Sequence, residues 1–142
     1  MRREFPIIEY DTSAEAIFDP HRLIKPIDGF PEHCVCCFFQ EAIRQIVQTT
    51  SAPQIWQLAC EMCASPVYRM EFQGRQLALV HPGVGAPLAG GFLDELIAMG
   101  CRKFICVGGA GVLDKQIARG HLIVPTAAVR DEGTSYHYLP PS

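Results

Sequence analysis

Residues 76–111 read QLALVHPGVGAPLAGGFLDELIAMGCRKFICVGGAG, and this stretch decides the fold. An unbroken apolar run, Leu77-Ala78-Leu79-Val80, enters a glycine turn from His81 to Pro87. Leu88, Ala89, Phe92, Leu93, Leu96 and Ile97 then recur at helical spacing, with Asp94 and Glu95 opposite. Gly100 stands where a left-handed residue ends a helix. A second apolar run, Lys103 to Val107, enters a second turn, Gly108-Gly109-Ala110-Gly111. The order is strand, glycine loop, helix, strand, glycine loop, which is a βαβ unit. Parallel strands are covered on both faces, so they carry continuous rather than alternating apolar runs. Ligands of such sheets bind outside the carboxyl ends of the strands, where both loops fall. Gly90-Gly91 inside the helix costs about 1 kcal/mol per glycine against alanine, and close packing on the sheet is the expected compensation.

Upstream, His33-Cys34-Val35-Cys36-Cys37-Phe38-Phe39 is a short apolar run suited to a buried central strand. Ala42, Ile43, Ile46 and Val47 follow at helical spacing, with Glu41, Arg44, Gln45 and Gln48 facing outward. A second helix is expected after Pro53, carrying Ile55, Trp56, Leu58 and Ala59. Val67 to Phe72 alternates, Gln73-Gly74 turns, and Arg75 to His81 returns, which predicts a hairpin leading into the first glycine loop. Residues 1–33 carry Pro6, Pro20, Pro26 and Pro31 and read as an irregular arm, with a short helix over Ala14–Phe18 capped by Ser13. Downstream, His121-Leu122-Ile123-Val124 reads as a strand, and Arg130 to Tyr138 has the mixed polar, charged and aromatic composition of a site-lining loop.

The chain of 142 residues is 49% hydrophobic and 19% charged, which is globular rather than disordered. A net charge of −3 with no basic stripe argues against nucleic acid as a partner. No apolar run reaches membrane-spanning length and no leader-like apolar segment follows Met1, so no membrane partner is expected. The seven cysteines are an odd number set mostly in apolar runs, which suits reduced thiols in the cytoplasm. Cys34 and Cys36 fall on one strand face and Cys37 on the other, while Cys60 and Cys63 fall in an expected helix. Small buried apolar residues are therefore the favoured reading, over a metal or redox cluster.

A glycine loop after a parallel strand brings backbone N–H groups to an anion with no Cβ in the way. Gly83-x-Gly85 entering a helix suits a phosphate or a sugar edge. Leu88 replaces the third glycine of a dinucleotide fingerprint, and no Gly-Lys-Ser/Thr of a P-loop follows.

HPGVGAPLAGGFLDELIAMGCRKFICVGGAGVL, followed by ARGHLIVPTAAVRDEGTSYHY, resembles the nucleoside phosphorylase family that contains uridine phosphorylase and hexameric purine nucleoside phosphorylase. The ordered features are Gly83 to Pro87, Glu95-Leu96, Gly100, Ile105 to Gly111, Gly120-His121 and Arg130, within residues 67–138. The resemblance implies a three-layer α/β/α fold with a mixed, largely parallel central sheet, incomplete at the C-terminal end. It implies one phosphorylase-like domain over residues 1–142 and phosphorolysis of a nucleoside N-glycosidic bond. Inorganic phosphate is the implied co-substrate, with no other cofactor and no metal, and a homo-oligomer is expected. Gly83 and Gly85 would approach the sugar–phosphate region, and Gly109, Ala110 and Gly111 would line ribose and base. Cys106, Gly108, Arg130 and His137 complete the expected site.

The sequence also departs from that family. Its phosphate-binding arginine and a Ser or Thr are replaced by Cys106 and Gly109, and Cys36 to Gln40 stands where a second phosphate loop would be. Losing a bidentate, charge-assisted pair removes on the order of 2–5 kcal/mol. Arg130 or His137 could substitute, while an ion pair of Arg130 with Asp131 or Glu132 is the structural alternative. The ribose-gripping acid of the family lies beyond the point where this chain stops, so the chain reads as the N-terminal portion of a longer enzyme. A hydrolase-like relative and a binding-only fragment are the competing functional readings.

Overall fold

A computed structural model describes residues 9–13 and 15–141. The apolar segment Phe5–Ile8, which sequence suggests for contact with a neighbour, lies outside them. The chain divides into two compact units, Ser13–Gly108 and Met1–Thr12 with Gly109–Ser142.

The first unit is built on β1 (His33–Cys37), which continuous apolar character commits to the interior. It is followed by α2 (Gln40–Thr50), β2 (Gln54–Cys60), β3 (Cys63–Phe72), β4 (Arg75–Val80), α3 (Ala86–Met99) and β5 (Lys103–Val107). A four-residue α1 (Pro20–Leu23) precedes them. The sheet has five strands in the order β2-β3-β4-β1-β5. β1 pairs in parallel with β4 and with β5, whereas β2–β3 and β3–β4 are antiparallel. The sheet is thus mixed, and α3 carries the chain from β4 to β5 across β1.

Alternation along the strands divides the core in two. Cys34, Cys36, Ala78 and Val80 pack with Phe92, Leu96 and Met99 of α3. Cys37 and Leu79 face the other way and pack with Ile43 of α2. A helix on each face gives the three layers expected from the resemblance. Phe92, Leu96 and Met99 are at most 2% exposed, and burial of each such side chain stabilises by about 1.5–3 kcal/mol. Ile24, Ile27 and Phe30 pack onto the α3 face, and the Ile27 N–H donates to the Met99 carbonyl at 3.0 Å. Part of the expected irregular arm is therefore core material.

Several expectations are corrected. Residues 15–18 are not helical, and Ala14 lies outside the described residues. The helix begins instead at Pro20, where the Asp19 side chain accepts from the His21 N–H at 2.9 Å, a better cap than Ser13 offers. The segment after Pro53 is strand β2, because β3 supplies an antiparallel ladder for it. Cys60 and Cys63 accordingly flank a two-residue hairpin loop rather than sharing a helix. Gly91 is exposed and a Cβ there would meet nothing within 4 Å, so close packing does not account for it.

The Gln73-Gly74 loop has positive φ at both residues, +50° and +72°, the twist that a two-residue hairpin prefers. No helix among the described residues is long and apolar enough to cross a membrane. In the second unit, residues 121–124 form no strand, because no ladder partner stands beside them; Leu122 is 95% exposed. Among its described residues, the regular element is a 3₁₀ turn at Thr134–His137.

Candidate functional site

The carboxyl end of β4 delivers His81 and Gly83 to the rim of a cavity of about 470 Å³. Because β3 runs antiparallel to β4, with Val67 opposite Val80, its beginning lies beside the end of β4. Cys63, Ala64, Ser65 and Pro66 thus form a second wall. The first turns of α2 contribute Gln40, Ile43 and Arg44 as a third.

The first glycine loop is held tightly. The Gly83 N–H donates to Nδ1 of His81 at 3.1 Å, which leaves the proton of a neutral imidazole on Nε2. The Ser65 hydroxyl donates to the His81 carbonyl at 2.6 Å. Gly83 has φ +80°, and a Cβ there would come within 2.5 Å of Leu88 Cδ2. Conformation and space therefore both require glycine. Gly85, at φ 90°, is the N-cap of α3 and supplies no capping side chain. The first-turn N–H groups of a helix have no intrahelical acceptors, and their partial positive charge favours an anion.

Gly108, which opens the second expected loop, lies against an aromatic side chain. The Phe38 ring meets His81 edge-on, with centroids 5.9 Å apart and planes at 73°. A Cβ on Gly108 would be 3.2 Å from Phe38 Cδ2, and the Phe38 N–H donates to the Val107 carbonyl at 2.9 Å. Phe38 thus stands between the ends of β4 and β5. Cys106 faces Cys36 in the β1–β5 register, and burial, then Cys36, pushes its thiol pKa up. Cys106 and Gly108 do not line the cavity described above.

Gly109, Ala110, Gly111, Arg130 and His137 belong to the second unit. There the Arg130 guanidinium donates to the Ser135 hydroxyl through Nε at 2.9 Å. It also donates to the carbonyls of Pro140, Ser135 and Leu139 at 2.8–2.9 Å. The guanidinium lies 4.5 Å from the centre of the Tyr136 ring. Glu132 accepts hydrogen bonds from the N–H and the hydroxyl of Ser135. Arg130 closes its own loop, and His137 lies on the exposed surface.

Sequence reading missed Arg44 and Gln40, which it assigned to solvent or to a helix start. Their spacing of one helical turn, immediately after β1, is a signal, but what faces them comes from β3. Arg44 pairs with Glu41 at 2.8 Å and remains largely exposed on the cavity side. Among the described residues no cluster of His, Cys, Asp or Glu could hold a metal ion.

The phosphorylase superfamily model matches residues 32–142, which include the whole sheet and both glycine loops. This chain belongs to that superfamily. Its relatives are nucleoside phosphorylases. It is 35% identical over 88 residues to the uridine phosphorylase of Thermococcus kodakarensis, covering 60% of this chain and 32% of that one. It is 33% identical over 73 residues to the uridine phosphorylase of Salmonella typhimurium, covering 51% and 29%. A guanosine phosphorylase of Halorubrum lacusprofundi is 31% identical over 72 residues, covering 51% and 30%. The matched stretch thus spans about a third of each of these relatives.

Proposed function

We propose that this nucleoside phosphorylase family member binds inorganic phosphate and a nucleoside, and serves phosphate-dependent cleavage of the N-glycosidic bond. The observation that carries this reading is the Gly83–Gly85 loop, fixed by His81 and opening the uncapped start of α3 beside a cavity. The N–H groups of that turn suit a phosphate or sugar oxygen. Arg44 replaces the family's missing arginines as the cation at this rim, since Arg130 is spent on its own loop. Gln40 and the Ser65 side of the cavity meet the sugar edge. Inorganic phosphate is the co-substrate, and no other cofactor takes part. Family membership supports a homo-oligomer. The abundance of free thiols supports a cytoplasmic setting.

The test is release of free base from uridine and guanosine, with and without phosphate, together with calorimetric titration of each nucleoside and of phosphate. Base release that requires phosphate and yields the pentose 1-phosphate is the expected outcome. Release at the same rate without phosphate would mean hydrolysis. Binding with no release would reduce the chain to a binding module.

A further inference from the structure

The tip of the β2–β3 hairpin holds two cysteines; Cys63 also borders the cavity, but neither thiol takes a chemical role in the proposed reaction. Cys60 ends β2, Cys63 begins β3, and they are directly paired across the ladder. Their sulfurs are 3.5 Å apart. Residues opposed across an antiparallel ladder have Cα atoms about 4.5–5.5 Å apart, inside the roughly 4.4–6.8 Å that a disulfide spans. The two sulfurs need only rotate about their Cα–Cβ bonds to meet. Cys63 is exposed and Cys60 half-buried, whereas Cys34, Cys36, Cys37 and Cys101 are buried.

We propose that Cys60 and Cys63 form a reversible dithiol–disulfide site that exchanges with small-molecule disulfides in solution. Cys60 is the attacking sulfur. Backbone N–H groups of Met62 and Cys63 point at it, and with the Cys63 thiol they hold its pKa below the usual thiol value, while Cys63 is raised. A lowered pKa favours the half-buried Cys60 as the thiolate, and the exposed Cys63 beside it keeps the hairpin tip open to solvent. The Cys60 thiolate attacks one sulfur of R–S–S–R, forming a mixed disulfide and expelling R–S⁻. The Cys63 thiol gives up its proton and attacks the Cys60 sulfur, which expels the second R–S⁻. The protein loses two electrons and two protons, and R–S–S–R becomes two R–SH. A bridge closing so short and exposed a loop gains little chain-entropy stabilisation, which keeps it in the labile class.

The buried Cys34–Cys36 pair, with sulfurs 3.9 Å apart, is an internal control: it lies on one strand and is closed to solvent. The experiment incubates the folded chain with glutathione disulfide, blocks remaining thiols with an alkylating agent, and maps peptides by mass. The expected product is a Cys60–Cys63 bridge that dithiothreitol reverses. Cys63→Ser is expected to stop at a glutathione adduct on Cys60. Cys60→Ser is expected to react at Cys63 more slowly than Cys63→Ser reacts at Cys60. Both variants lie at an exposed hairpin tip, and their circular dichroism checks that they fold. A bridge between Cys36 and Cys106, persistence of both hairpin thiols, or equal rates in the two variants overturns the proposal.

Discussion

Nδ1 of His81 accepts the N–H of Gly83, two residues further on, at 3.1 Å. A ring nitrogen here does what an Asn or Asp side chain does in an Asx turn. His81→Asn is therefore expected to keep the loop, and His81→Ala to lose about 1 kcal/mol of stability through the unpaired N–H. Urea denaturation of the two variants measures the difference. Equal midpoints would refute the role given to this hydrogen bond.

Gly83→Ala combines a left-handed φ with the approach to Leu88. The backbone term alone costs about 1–2 kcal/mol. Gly83→Ala with Leu88→Ala removes the collision but not the backbone term. The double variant should therefore show phosphate affinity no better than half restored in calorimetry.

Arg44→Gln is expected to weaken phosphate binding about tenfold while leaving the melting temperature within a degree or two, because the side chain is exposed and its pair with Glu41 is worth little. The loss should shrink as salt is added. An unchanged phosphate isotherm would return the anion to backbone groups alone.

Gly91→Ala should stabilise the chain by up to about 1 kcal/mol, since the site is helical, exposed and sterically open. A thermal melt that moves down instead would expose a contact made by this face in an assembly.

The loop closed by Arg130 should loosen in acid. The Ser135 hydroxyl, then its N–H, holds the Glu132 carboxyl below the usual carboxylate range. A depressed folded-state pKa contributes stability above the unfolded value, and that contribution is lost as pH falls through the folded value. Amide exchange at residues 134–139, corrected for intrinsic rates, should accelerate below the ordinary carboxylate pKa, and Glu132→Gln should flatten that dependence.

The β4–α3–β5 unit was legible because each of its signals is local: run length, glycine punctuation and helical spacing. β2 was not. A register irregularity between Gln54 and Trp56 breaks the period-two pattern, so Ile55, Trp56, Leu58 and Ala59 fall at helix-like spacing. The resemblance named the Gly83 loop as a site candidate, and that loop borders the cavity. It could not reveal that Phe38 stands between the ends of β4 and β5 or that Arg44 shares a cavity with β3, since both facts depend on residues far apart in the chain. Arg130 was readable as a charged loop residue, but its carbonyl partners follow only once Leu139 and Pro140 fold back onto it.

Among the described strands β1 comes first in the chain, yet its two partners arrive with residues 75–80 and 103–107. This interior strand, lying between β4 and β5, is therefore synthesised before both partners and completed last. Parallel pairing across such separations is slow, and incomplete sheets aggregate through their open edges. The hairpins formed by β2, β3 and β4 can assemble early, leaving a nascent platform that waits for Lys103 to Val107 before β1 is enclosed on both sides.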